Sequence, residues 1–280
     1  MSRTASVEGL IRVGARLPLG PYLREVWERR DFIATMASSR IQAENERNRL
    51  GMGWVLLRPL LNALIYGLIF GLILGGQRPA NFVPYVIAGV FLFEFFTNSV
   101  LVGGRSITSN FSLVQSLNFP RLALPTAVVY QQLLSFLPTL VLMSVLVLPF
   151  GGRITWRVLL LVPLTAIFAV FNLGVALIVA RLTVHFRDLS QLMPFITRIL
   201  FYTAGVFFDP ISVLEGHPWA LTLYHLYPLN EVLSLGRSLL IPGYEAPTYY
   251  WWVLSAWAVV TLVFGVIYFW SAEERYGRDE

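Results

Sequence analysis

The sequence contains no cysteine and no lysine. Without thiols there is no disulfide, no thiolate nucleophile and no cysteine-ligated metal. Without an ε-amine the chain has neither a Schiff-base lysine nor the phosphate-binding lysine of a Walker A loop, so it must take any ATP-derived energy from elsewhere. All 21 basic side chains are therefore arginine, and charge of either sign is scarce: 13% of the 280 residues, against 56% hydrophobic. The mean hydropathy of +0.65 lies above that of soluble domains and marks a membrane protein. The formal charge of +5 is assigned to loops on the cytoplasmic side, not to a nucleic-acid surface. Histidine is also rare, with only His185, His217 and His225.

What the sequence has in abundance is long apolar runs. Six are read as membrane spans, at residues 54–76, 82–104, 122–150, 156–180, 189–208 and 249–270, because a helix needs about 20 residues to cross a bilayer. The last is bracketed by "YYWW" and "YFW", the aromatic pattern of headgroup depth. No signal-peptide core precedes the first run, so the N-terminus is expected to stay in the cytoplasm. The nine arginines before residue 50, with Arg105, Arg121, Arg181, Arg187, Arg275 and Arg278, then fall inside. Only Arg78, Arg153, Arg157 and Arg237 fall outside. The expected fold is an all-α polytopic membrane protein with both ends inside. It divides into a cytoplasmic segment at 1–53, a six-helix membrane domain at 54–271 and a cytoplasmic tail at 272–280.

Three segments between the spans have patterns of their own. Before the first, Trp27, Ile33, Met36 and neighbouring apolar residues recur near a 3.6-residue spacing, with Arg40 and other charges between them. This predicts an amphipathic helix along the membrane surface, whether as a plain anchor or with a further role. The inner loop at 105–121 carries Phe111, Val114 and Leu117 at helical spacing among polar residues. It is either a docking element for a soluble partner or a solvated connector. The region 209–248 has short apolar pieces, "WALTLYHLY" and "EVLSLGRSLLI", cut by proline and glycine. They suit two short re-entrant helices on the outer side or a capping loop. His217, His225, Asp209 and Glu215 could form an outer-face metal site or simply be solvated; no catalytic motif and no metal site is assigned.

Five stretches in order, "RNRLGMGWVLLRPLLNALIYGLIFG", "YVIAGVFLFEFFTNSV", "LVQSLNFPRLALP", "VHFRDLSQLMPFITRILFYTAGVFF" and "LYPLNEVLSLGRSLL", resemble the transmembrane subunits of ABC-2-type polysaccharide exporters, which move O-antigen, teichoic acid, capsule or galactan chains. Phe93 stands where those chains often have Trp, and Pro228 precedes Asn230 where they usually have Asn-Pro. The resemblance implies a homodimer in the bacterial inner membrane above two separate ABC ATPase chains, which bind ATP and Mg, with no cofactor in this chain. It implies that the inner loop, with Ser106, Asn110, Phe111, Val114 and Asn118, docks into the ATPase. It further implies that the N-terminal surface helix shapes a cytoplasmic gate and the short outer helices an external one. The substrate implied is a polyprenyl-diphosphate-linked glycan. Arginine-only usage fits a GC-rich genome and, with the C-terminal "AEERYGR", points to an actinobacterial cell-wall galactan.

A glycan rich in hydroxyls needs a polar or aromatic route through the bilayer. Tyr66, Phe70, Phe91, Phe95, Phe201 and Tyr202 are candidate lining residues, with core packing or lipid contact as the alternative for each. Glu94 lies roughly 18 Å and Arg198 roughly 15 Å from the outer end of their spans, at about 1.5 Å per residue. Charges at similar depth are expected to face each other or a shared polar channel, unless Glu94 is neutral and hydrogen-bonded to a neighbouring helix. Two rival functions share parts of this pattern: an ABC-2 permease for drugs or lipids, and a polytopic enzyme acting on lipid-linked sugars. A neighbouring gene for a P-loop ATPase with a sugar-binding extension separates polysaccharide export from both.

Overall fold

The computed structural model describes residues 17–46, 49–51, 53–73, 81–153, 155–214 and 216–276. The first 16 residues and Arg47, Arg78, Glu215 and Arg278, all used above, lie outside the described residues. The helices in chain order are α1 (Leu19–Glu28), α2 (Arg30–Glu46), α3 (Gly53–Ile73), α4 (Phe82–Gly104), α5 (Phe111–Ser116), α6 (Ala123–Leu146), α7 (Leu161–His185), α8 (Leu189–Thr203), α9 (Pro210–Leu214), α10 (Pro218–His225), α11 (Pro228–Leu240) and α12 (Tyr250–Trp270). No strand occurs among the described residues.

Five of these are long and apolar enough to cross a membrane: α3, α4, α6 with the turn that follows it, α7 with the turn before it, and α12. The reading of a full span at 189–208 is not matched, because α8 has 15 residues and is about 22 Å long, short of a hydrocarbon core of about 30 Å. Gly205, with φ +74°, turns the chain left-handed, a conformation costly for any residue with a Cβ. The freed carbonyls find donors elsewhere. The Tyr224 hydroxyl donates to Thr203 O at 2.9 Å and the Tyr85 hydroxyl to Gly205 O at 3.1 Å and Phe208 O at 2.7 Å.

α4 is the axis of the bundle, touching α3, α6, α7, α8 and α11. α7 and α12 meet backbone to backbone: a Cβ on Gly174 would lie 2.4 Å from the Thr261 carbonyl carbon, and one on Gly265 2.6 Å from Gly174 O. Small residues permit this approach, which gains dispersion contacts where water is absent. α11 is almost wholly buried and touches α4, α7 and α12, whereas α10 lies on the surface with Trp219 exposed.

The predicted single N-terminal helix is two helices with a kink at Arg29. Hydrogen bonds from Arg29 N to Glu25 O and from Ile33 N to Arg29 O run through it at 3.1 and 3.0 Å. The kink has a physical reason: Tyr22 is drawn into a buried polar cluster, while Ile33 and Ala37 pack farther along the bundle, where α2 lies on α6. The end of the molecule that holds α1, α2 and α5 is called the N-terminal end below, and the end with α9, α10 and α11 the far end.

Candidate functional site

Glu94, one carboxylate in an apolar α4, stands between two adjoining cavities. The first, of about 230 Å³, is lined among others by Trp54 and Arg58 of α3, Asn98 of α4 and Gln132 of α6. The second, of about 320 Å³, is lined among others by Asn62 and Tyr66 of α3, Thr97 of α4, and Arg198 and Phe201 of α8. The Asn62 side chain hydrogen-bonds the Glu94 carboxylate and Arg58 lies within electrostatic reach of it. The Oε2 atom is buried without a protein partner. A carboxylate with a free buried oxygen beside a cavity is placed to accept from an occupant. Glu94 and Arg198 share this cavity without forming one of the ion pairs among the described residues. They line one polar space together, one of the two arrangements expected for them.

Toward the far end this space meets a group of rings. Phe201 packs on Tyr66 at 5.1 Å, Phe93 at 5.0 Å and Phe207 at 5.0 Å between centroids. Phe207 also stacks on Phe70 at 3.9 Å and approaches Tyr202 at 6.2 Å. Three helices and the turn after α8 thus build an aromatic shelf beside the charged groups. The shelf is fixed from behind by Arg237 of α11, which is completely buried. Its guanidinium lies 3.4 Å from the Tyr85 ring centroid, and its Nη2 donates to Gly205 O at 2.9 Å and Val206 O at 3.2 Å. Its Nε donates to Tyr85 O at 3.3 Å. The cation thereby holds the backbone immediately before Phe207.

A second buried polar cluster ties the N-terminal end together. Glu273, after α12, accepts from the Tyr22 hydroxyl at 2.8 Å and from Arg121 N at 2.9 Å, and pairs with the Arg121 guanidinium at 3.6 Å. Leu122 N donates in turn to the Tyr22 hydroxyl at 3.2 Å. Burial pushes the Glu273 carboxyl above its ordinary range, against the pull of the Arg121 backbone N–H, the Tyr22 hydroxyl and the Arg121 guanidinium. Burial, reinforced by Glu273, also holds the Tyr22 phenol above its ordinary range. One carboxylate therefore joins α1, the start of α6 and the segment after α12.

A family model described as "ABC-2 type transporter" matches residues 36–241, more than half of the chain. The chain belongs to the ABC-2 type transporter family. It is 29% identical over 212 residues to the O-antigen export system permease protein RfbA of Myxococcus xanthus, covering 76% of this chain and 81% of that one. It is 27% identical over 214 residues to a protein of the same name from Klebsiella pneumoniae, with the same coverages. With its apolar helices, the ABC-2 chain is a multi-pass membrane protein.

The structure sorts the residues singled out in the ABC-2 sequence. Tyr66, Phe70, Phe201 and Tyr202 come together in the shelf. Phe91 and Phe95, only 0% and 3% exposed, instead form the packed floor of the first cavity, with Phe95 stacked on Phe136. In the inner loop Ser106 and Val114 are buried, Phe111 is half-buried and Asn118 is exposed. Asn110 accepts from Arg40 Nη2 at 3.0 Å, so the surface helix and the loop are in direct contact. Ile33 and Met36 pack inward while Trp27 is exposed. His225 is bonded to the Tyr250 hydroxyl. Sequence reading missed Arg58, Asn62, Asn98, Phe207 and the anchoring role of Arg237. Asn62 offered a faint signal, as an amide inside an apolar run.

Proposed function

We propose that this chain is the membrane permease of an ATP-driven exporter that carries a polyprenyl-diphosphate-linked polysaccharide across the bacterial inner membrane. The observation that carries the reading is the junction of Glu94, Asn62, Arg58 and Arg198 with an aromatic shelf, inside an otherwise apolar ABC-2 bundle. Carboxylate, amide and guanidinium groups meet sugar hydroxyls, which would otherwise be costly to dehydrate. Ring faces offer flat apolar contact without fixed hydrogen bonds, which suits a chain that must slide. The names of the relatives, O-antigen export permeases, support the same cargo class.

In this reading α8 and the turn at 204–208 together make the fifth of six crossings, the N-terminal end faces the cytoplasm, and α10 and α11 lie within the outer half of the bilayer. The cavities of about 230 and 320 Å³ are at or below the small end of single-ligand pockets, roughly 300–1,000 Å³. A polymer path therefore takes walls from a second copy, which gives a homodimer. ATP and Mg bind a separate ATPase, which carries the P-loop lysine this chain lacks, and the loop at 105–121 docks on it. A cell-wall galactan is the cargo assigned on the arginine-only composition. Depletion of the chain tests all of this: polyprenyl-linked polymer should accumulate inside the cell, with galactose as its main sugar. Unchanged levels of lipid-linked polymer would overturn export, and another sugar would overturn only the galactan.

A further inference from the structure

A third cavity, of about 700 Å³, lies at the N-terminal end and plays no part in the path described above. Thr108 and Phe111 of the inner loop form one wall, His185 ends α7 beside it, and Arg187, Ser190 and Arg275 complete the rim. No carboxylate is among the described lining residues. The hydroxyl protons are already committed, Ser190 Oγ to Arg187 O at 2.9 Å and Thr108 Oγ1 to Arg105 O at 3.1 Å. His185 is committed as well. Arginine can only donate, so the 3.3 Å contact from Arg275 Nη1 makes His185 Nε2 the acceptor. Its proton then sits on Nδ1, aimed at Arg181 O at 3.3 Å. The imidazole thus contacts the Arg275 guanidinium, and an occupant meets the N–H donors of Arg187 and Arg275.

We propose that this cavity holds the phosphate of an anionic phospholipid headgroup from the leaflet at the N-terminal end. Two guanidiniums with no acid between them call for an anion, and phosphodiester oxygens match their forked geometry. Basic pockets between helices on the cytoplasmic side are suited to such headgroups. The site lies where α4 and α7 end, and Phe186, 65% exposed, stands between His185 and Arg187 in the chain. The cavity is also far larger than one partner carboxylate would fill, and part of its wall is apolar. Because Phe111 belongs to the inner loop, a bound headgroup would brace that loop against α7.

The test is lipid retention after purification from membranes containing both phosphatidylglycerol and phosphatidylcholine, read by mass spectrometry of the extracted lipid. The wild-type chain should keep phosphatidylglycerol selectively. The double variant Arg187→Gln/Arg275→Gln should keep about tenfold less or lower still, and Arg157→Gln, on an exposed far-end turn, as much as the wild type. The charge-conserving Arg187→Lys/Arg275→Lys, which keeps both charges but loses the fork, should retain more than the double glutamine variant and less than the wild type, which separates loss of the site from loss of the fold. Unselective retention by the wild type, or undiminished retention by the double glutamine variant, overturns the proposal. Protection from heat by inorganic phosphate but not by phosphatidylglycerol would give the cavity to the free ion. Loss of ATPase binding with lipid retention intact would give it to an acidic side chain of a protein partner. Either of these outcomes also overturns the lipid assignment, and none bears on the glycan reading.

Discussion

Arg237 is buried where a cation would ordinarily be expensive, and its hydrogen bonds explain how it stays there. Three carbonyls and the Tyr85 ring surround it, and Gly89 leaves the room: a Cβ there would lie 2.8 Å from its Nη2. Gly89→Ala should displace the guanidinium and strand Val206 O, at about 1–3 kcal/mol for the group left unpaired, while Gly205 O keeps the Tyr85 hydroxyl. The expected readout is a lower unfolding temperature in detergent; an unchanged temperature would mean that the guanidinium is not held at that spot. Sequence alone could not show this, since Arg237 counts there as one more arginine of an outer loop. Glu273 gives a second prediction at this scale. Because burial raises its folded-state value above the ordinary 4.5, the folded chain binds its proton more tightly than the unfolded chain does. The stability it contributes is full below pH 4.5 and is lost as pH rises through the raised value. Glu273→Gln does not titrate, so the stability of wild type relative to this variant should fall as the pH is raised above 4.5. Parallel unfolding curves against pH would contradict it.

Among the elements, the five long helices were legible because hydropathy and length are local properties, and so were the two short pieces that became α10 and α11. The end of α8 was not. "FYTAGVFF" is as apolar as a helix interior, and what stops the helix is the left-handed Gly205 with donors from Tyr85, Tyr224 and Arg237. Gly205→Ala should cost about 1–2 kcal/mol for the positive φ alone. It should cost more on top, because the added Cβ would lie 2.6 Å from Pro210 Cγ. Thermal unfolding of the purified variant measures this, and a neutral effect would mean that the turn is not held as described. The break at Arg29 was hidden for a similar reason: the Tyr22 hydroxyl of α1 is held by Glu273, 251 residues away in the sequence.

For the molecule as a whole, the oddity of Glu94 in "FLFEFFTNS" pointed to the candidate site, and four of the aromatic residues chosen as sugar-lining candidates, Tyr66, Phe70, Phe201 and Tyr202, come together in the shelf. Arg58 and Asn62 of α3 join the site only when α3 packs on α4, so Arg58 gave no signal and Asn62 a faint one, while Asn98, one turn from Glu94 on α4, was passed over as one polar residue among several. The native chain has no cysteine, so a single introduced thiol reports cleanly on the path. The most direct measurement is surface polymer in cells that depend on Thr97→Cys, whose position lines the cavity, after labelling with a bulky, water-soluble thiol reagent. Thr155→Cys, exposed on the far-end turn, serves as the labelled control. Export should stop on labelling at position 97 and continue on labelling at position 155. Full labelling at 97 with undiminished surface polymer would show that the glycan does not pass between Glu94 and Arg198.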